Sequence, residues 1–170
     1  MKVYLAGPEV FAFEAEKRFA EMRALCGEHG IEALTPMDHQ MVDPGAAEIY
    51  QKNIELIVAS DLIIANISPF RGIGVDSGTA FEIGYAAALG KPVVVWTNDN
   101  RDLTTRTAGA FGGNLRRGED RKLRDPSGDE VEDFSLAENL MIAVPATTGD
   151  RPICNDFASA VKQASEILKA

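Results

Sequence analysis

Cysteine and histidine are scarce in this chain. It has two of each in 170 residues, at Cys26, Cys154, His29 and His39. Two cysteines without short-range partners exclude a disulfide framework and a zinc-type ligand set. Cys26 falls on the apolar side of a helical pattern and reads as a buried free thiol. The histidines fall at a helix end and in a loop, so neither a metal centre nor a Ser-His-Asp arrangement is expected. Long apolar runs are also missing, so no membrane span is expected. The start, MKVYLAGPEVF, is broken by Gly7-Pro8 too soon for a signal peptide, and the cytoplasm is the expected location. Neither GxGxxG nor GxxxxGK[ST] occurs, which argues against dinucleotide and P-loop chemistry. Positive charge is short as well: 17 Lys and Arg face 26 Asp and Glu, for a net charge of -9. Such a surface repels phosphate backbones and speaks against nucleic-acid binding, but not against a small neutral substrate.

What remains is an ordinary globular mixture, 45% hydrophobic and 25% charged, of a length that suits one domain over residues 1–170. Short apolar runs at Lys2–Ala6, Ile31–Leu34, Asp61–Ile67 and Pro92–Trp96 read as strands. Helical periodicity covers about 14–28, 46–59, 78–89 and 155–168. Gly30 and Gly90 supply stops. Strands alternating with helices predict an α/β fold, a doubly wound sandwich of flavodoxin-like shape. About five mainly parallel strands in the order 2-1-3-4-5 are expected. Residues 97–135 have little periodicity and read as a mobile lid, an oligomer arm or plain disorder. A short helical or extended piece is expected around Leu136–Val144.

In such sheets ligands bind beyond the carboxyl ends of the strands, at the switch point between strands one and three. Those ends are Ala6-Gly7-Pro8 and Asn66-Ile67-Ser68. The second leads into Ser68-Pro-Phe-Arg-Gly-Ile-Gly-Val-Asp-Ser-Gly-Thr-Ala-Phe-Glu-Ile-Gly84, a glycine-bearing loop opening a helix. It delivers two carboxylates six residues apart, Asp76 and Glu82. Glu82 has two readings. Thr79-Ala-Phe-Glu82 fits a capping box. Alternatively, Glu82 is a nucleophile near a helix N-terminus, kept ionised by the dipole, able to attack an anomeric carbon. Gly78 and Gly84 would permit close approach. Asp76 reads either as a helix cap or as a group holding sugar hydroxyls or protonating a leaving base. Tyr4 lies in the first strand, where core packing is the default. Its hydroxyl would want a partner, and Glu82 is within reach in this topology. Arg71 pairs with an acidic neighbour or binds substrate.

Tyr4-Leu-Ala-Gly-Pro-Glu-Val-Phe11, Gln51-Lys-Asn-Ile54, Ser68-Pro-Phe-Arg-Gly72, Asp76-Ser-Gly-Thr-Ala-Phe-Glu-Ile-Gly84 and Glu138-Asn-Leu-Met-Ile142 together resemble the nucleoside 2-deoxyribosyltransferases. The resemblance covers most of the chain and is weakest between about 98 and 135. It implies transfer of 2-deoxyribose between nucleobases without a cofactor, in nucleoside salvage. Deoxynucleosides and free nucleobases would be the partners. It makes Glu82 the nucleophile, with Tyr4 orienting it and Asp76 contacting the nucleoside. Gly7, Arg71 and Gly78 would line the substrate. Asn139 and Met141 would reach the active site of a neighbouring subunit, in a homo-oligomer between dimer and hexamer. Some members carry an Asp on the second helix where this chain has Asn53. A neutral amide cannot be the leaving-group acid, though it can hydrogen-bond the base.

Two rivals stand beside this reading. One is a hydrolase of deoxynucleoside 5′-monophosphates, which needs phosphate donors; the first loop instead offers Glu9. The other is a non-catalytic nucleoside-sensing module, in which Glu82 is only a capping residue.

Overall fold

A computed structural model of the chain describes residues 1–38 and 43–170. His39 therefore lies outside the described residues. The core is a parallel sheet of four strands in the order β2-β1-β3-β4. The strands are β1 (Lys2–Ala6), β2 (Glu32–Leu34), β3 (Leu62–Asn66) and β4 (Val93–Trp96). Tyr4 sits opposite Leu34 on one side and Ile63 on the other. All of β3 is buried, as its continuously apolar sequence requires of a central strand covered on both faces.

Side chains alternate across the sheet and divide the core in two. Val3, Leu5, Leu62, Ile64 and Val94 pack against α1 (Ala15–Glu28) and α6 (Phe157–Lys169), through Phe19, Cys26, Val161 and Ala164. Tyr4, Ala6, Ile63, Ala65, Val93 and Val95 face the other way. They meet α2 (Ala46–Ala59), α3 (Ser77–Ala88) and α5 (Leu140–Thr147) through Ile57, Ile83, Ala86 and Ile142. This alternation puts Tyr4 on the side of α3, where Glu82 is.

Among the described residues the expected fifth strand is not formed. Its place beside β4 is taken by one parallel bridge, between Trp96 and Cys154. Pro152 just before the bridge and Asp156 just after it explain the brevity. Proline cannot donate to a ladder, and Asp156 already caps α6 by accepting the Ser159 N–H.

The segment 97–135 is built rather than shapeless. It holds α4 (Leu103–Ala110), capped by Asp102, and an antiparallel hairpin of β5 (Arg116–Arg117) and β6 (Leu123–Arg124). Much of its order comes from side chains meeting backbone, which hydrophobic periodicity does not register. No helix among the described residues is long and apolar enough to cross a membrane.

Candidate active site

A cavity of about 380 Å³ opens at the carboxyl ends of the strands. The loop after β1 contributes Gly7, Val10 and Phe11, and the turn after β2 gives Pro36 and Met37. Helix α2 adds Ile49 and Asn53, one turn apart. The start of α3 supplies Asp76, Gly78, Thr79 and Glu82. A larger hollow of about 640 Å³ runs along the hairpin among Arg116, Arg117 and Arg124. Neither Asp76 nor Glu82 lines it, so the chemistry selects the smaller cavity.

Asp76 begins α3 as its N-cap. Its Oδ2 accepts the Thr79 N–H at 2.9 Å and the Thr79 hydroxyl at 3.1 Å. The cap reading of Asp76 holds, and the residue also lines the cavity. The capping box read at Thr79–Glu82 is refused. Thr79 is inside the helix, and Glu82 reaches across to the sheet instead, where its Oε1 accepts the Tyr4 hydroxyl at 2.6 Å.

Tyr4 is fully buried, and its phenol needed a partner. Burial, together with the charge of Glu82, drives its pKa upward, so it remains a donor. Glu82 is itself pushed up to about 7. Burial is the main cause and the negative charge of Asp76 adds to it, while the bond from Tyr4 opposes both. The helix dipole does not hold Glu82 ionised as expected. Position 82 lies in the second turn of α3, beyond the reach of the terminal N–H groups.

Gly7 has an extended backbone, so its identity follows from crowding, not conformation. A Cβ there would stand 2.0 Å from Glu9 Oε2 and 3.0 Å from Asn66 Cβ. Glu9 does not face the cavity. It is buried behind Gly7, where Oε1 accepts from Asn66 Nδ2 at 2.5 Å, and burial raises its pKa. Gly84 meets nothing within 4 Å of a built Cβ, so no described backbone or side chain of this chain crowds it. The Asn53 amide oxygen is buried and has no partner among the described residues.

Three expected residues lie elsewhere. Arg71 does not line the cavity and forms no ion pair among the described residues. Its guanidinium covers the rings of Phe70 at 4.7 Å and Phe11 at 5.2 Å, stacking behind the cavity wall. Asn139 caps α5 by accepting the Met141 N–H, and donates to Glu132 at 2.6 Å. Met141 is 68% exposed. Neither reaches the cavity of its own chain. Conversely, Val10, Phe11, Pro36, Met37 and Ile49 were not foreseen as lining residues. The position of Pro36-Met37 at the carboxyl end of a strand beside β1 was the available signal.

Comparison with known proteins agrees with this geometry. The family model for nucleoside 2-deoxyribosyltransferase matches residues 3–141. A solved structure described as a 2-desoxiribosyltransferase from Leishmania mexicana is 34% identical, with a TM-score of 0.76 and 97% coverage of both chains. An uncharacterized protein of Schizosaccharomyces pombe is 32% identical over 155 residues, covering 82% of this chain and 74% of that one. A conserved protein from Enterococcus faecalis V583 shares the fold, at 21% identity and a TM-score of 0.58. The chain, with its tyrosine-held glutamate at the sheet's carboxyl end, belongs to the nucleoside 2-deoxyribosyltransferase family.

Proposed function

We propose that the protein moves a 2-deoxyribosyl group from one nucleobase to another through a covalent ester on Glu82. The observation that carries this is the Tyr4–Glu82 contact at 2.6 Å beside Asp76 in an open cavity. Tyr4 occupies Oε1 and leaves Oε2 free to attack C1′. As that bond forms, the C1′–N bond breaks and its electron pair leaves with the base, which takes up a proton. A second base then attacks C1′ through nitrogen, loses its own proton and releases the Glu82 carboxylate. The negative charges at positions 82 and 76 favour the oxocarbenium character of both transition states. The missing 2′-hydroxyl makes that cation easier to form.

Asn53 supplies a hydrogen bond to the base, and Asp76 holds the nucleoside and assists proton transfer to the departing base. Phe11, Met37 and Ile49 give apolar walls against which a base can stack and water is excluded. Asn139 and Met141 complete a neighbouring copy's site, which makes the working form a homo-oligomer serving nucleoside salvage.

A 5′-monophosphate is a poor fit. Two carboxylates and no Lys or Arg line the described part of the cavity. The test is incubation with a deoxynucleoside, with and without a second free base. A new deoxynucleoside that forms only when the second base is present is expected. Base release without exchange would replace transferase by hydrolase. Binding without release would leave a sensor. Faster reaction of the monophosphate than of the nucleoside would refute the specificity.

A further inference from the structure

Arg106 and Glu138 form an ion pair taken out of water at both ends, at 4% and 3% exposure. Arg106 Nη2 donates to Glu138 Oε2 at 3.0 Å and also to the Ala137 carbonyl. Its Nε and Nη1 are buried without a partner among the described residues. Desolvating two charges cancels much of their attraction, and a well-packed apolar pair commonly does as well. Net stability therefore does not account for this pair.

Its surroundings do. The other Glu138 oxygen accepts the Asn139 backbone N–H at 3.2 Å. That same oxygen lies 3.4 Å from where a Cβ on Gly74 would stand. Gly74 belongs to the loop turn closed by Phe70 N–H to its carbonyl at 2.9 Å, two residues before Asp76. One carboxylate thus lies beside the loop that delivers Asp76 and accepts from the segment that carries Asn139 and Met141. Helix α4 holds Arg106 against that segment. Leu103 N–H donates to the Leu136 carbonyl at 2.8 Å, and the Thr104 hydroxyl to the Glu132 carbonyl at 2.7 Å. The Glu132 side chain then receives Asn139 Nδ2 and the Leu140 N–H.

We infer that Arg106, acting through Glu138, is a positioning residue that couples the chain's own substrate loop to the residues it presents at α5. Neither member of the pair lines the cavity, so the coupling acts through the loop and the α5 segment on how substrate is held, and its main effect is on KM. The inference rests on the deoxyribosyl transfer proposed above. The test replaces the pair as a unit, Arg106→Met with Glu138→Leu, and follows base exchange against deoxynucleoside concentration. KM is expected to rise by about tenfold or more, with kcat within about threefold and the melting temperature near wild type. A folded double variant with wild-type KM overturns the inference, as does one that loses kcat alone.

Glu138→Gln and Glu138→Ala form a second arm. Gln keeps one acceptor oxygen, for either Arg106 or the Asn139 N–H, and turns its NH2 toward the other donor, so its KM should rise by about threefold, while Ala, which keeps neither acceptor, should raise it about tenfold. Equal KM values in the two overturn the coupling. So does failure of both the double variant and the Ala variant to fold, which would make the pair purely structural. Should the wild-type protein show no exchange at all, the proposed activity fails and not the coupling. Hydrogen exchange over residues 69–76 then decides: faster exchange in the folded double variant is expected, and an unchanged rate refutes it.

Discussion

Glu82 carries a stability cost that its removal should return. Raising a carboxyl group from its ordinary 4.5 to about 7 disfavours the ionised form by about 3 kcal/mol. The folded state holds this proton more tightly than the unfolded chain. Between about pH 4.5 and pH 7 the folded state therefore binds more protons, and stability falls as pH rises through that window. Above it the full cost is present, and below it the cost is gone. Glu82→Gln removes the titration yet keeps an oxygen to accept from Tyr4. The variant should match the wild type near pH 4.5 and exceed it by up to about 3 kcal/mol at pH 8. For a chain of this length that is a rise of roughly 8 °C in melting temperature. Urea unfolding and thermal melts of both proteins, from pH 4.5 to 9 at one fixed protein concentration, measure it. Base exchange should be abolished in the same variant. In the wild type, kcat/KM should climb with pH through about 7, since it reports ionisation in the free enzyme. Parallel stability profiles for the two proteins across this range would refute the electrostatic account of the site.

Tyr4→Phe deletes the bond from Tyr4 that favours the Glu82 carboxylate, so the acidic limb of the rate profile should move to higher pH. With a charged acceptor at stake, kcat/KM should fall by about 10- to 100-fold. An unmoved limb would contradict this. Asp76→Asn keeps an acceptor for the Thr79 N–H and should change stability little while impairing exchange. Asp76→Ala should lose about 1 kcal/mol in addition, and a denaturation midpoint shared by the two would remove the capping role. Gly7→Ala forces its methyl group onto Glu9 and Asn66, so KM should rise; kinetics identical to wild type would show that the loop has room to spare.

Strand and helix placement was readable because each element buries a stripe of its own sequence. Tyr4 and Glu82 are 78 residues apart, yet parallel neighbours β1 and β3 and the return of α3 over them bring the two within hydrogen-bonding distance. Topology fixes that contact, and topology follows from alternation. The acidic neighbour expected for Arg71 is replaced by two ring faces, because a guanidinium is served as well by these as by a carboxylate, and sequence does not say which lies nearer. The fifth strand failed because one bridge at Cys154 leaves no alternating run to read. Helix α4 was missed for a related reason. Its sequence, LTTRTAGA, has three threonines and a glycine, and Arg106 is held inward by a distant acid instead of by apolar periodicity.

The spacing of the two carboxylates has its own cause. Asp76, Thr79 and Glu82 advance by three residues at each step, and three residues is nearly one helical turn. Asp76 caps through Thr79, and this start point sets the rotational phase of α3. In that phase Ile83 and Ala86 enter the core while Glu82 turns to the cavity rim, against the Tyr4 hydroxyl. Starting the helix one residue later would rotate Glu82 by about 100° and part it from Tyr4. The cap is therefore part of the proposed catalytic geometry: the residue proposed to hold the nucleoside also determines where the proposed nucleophile points.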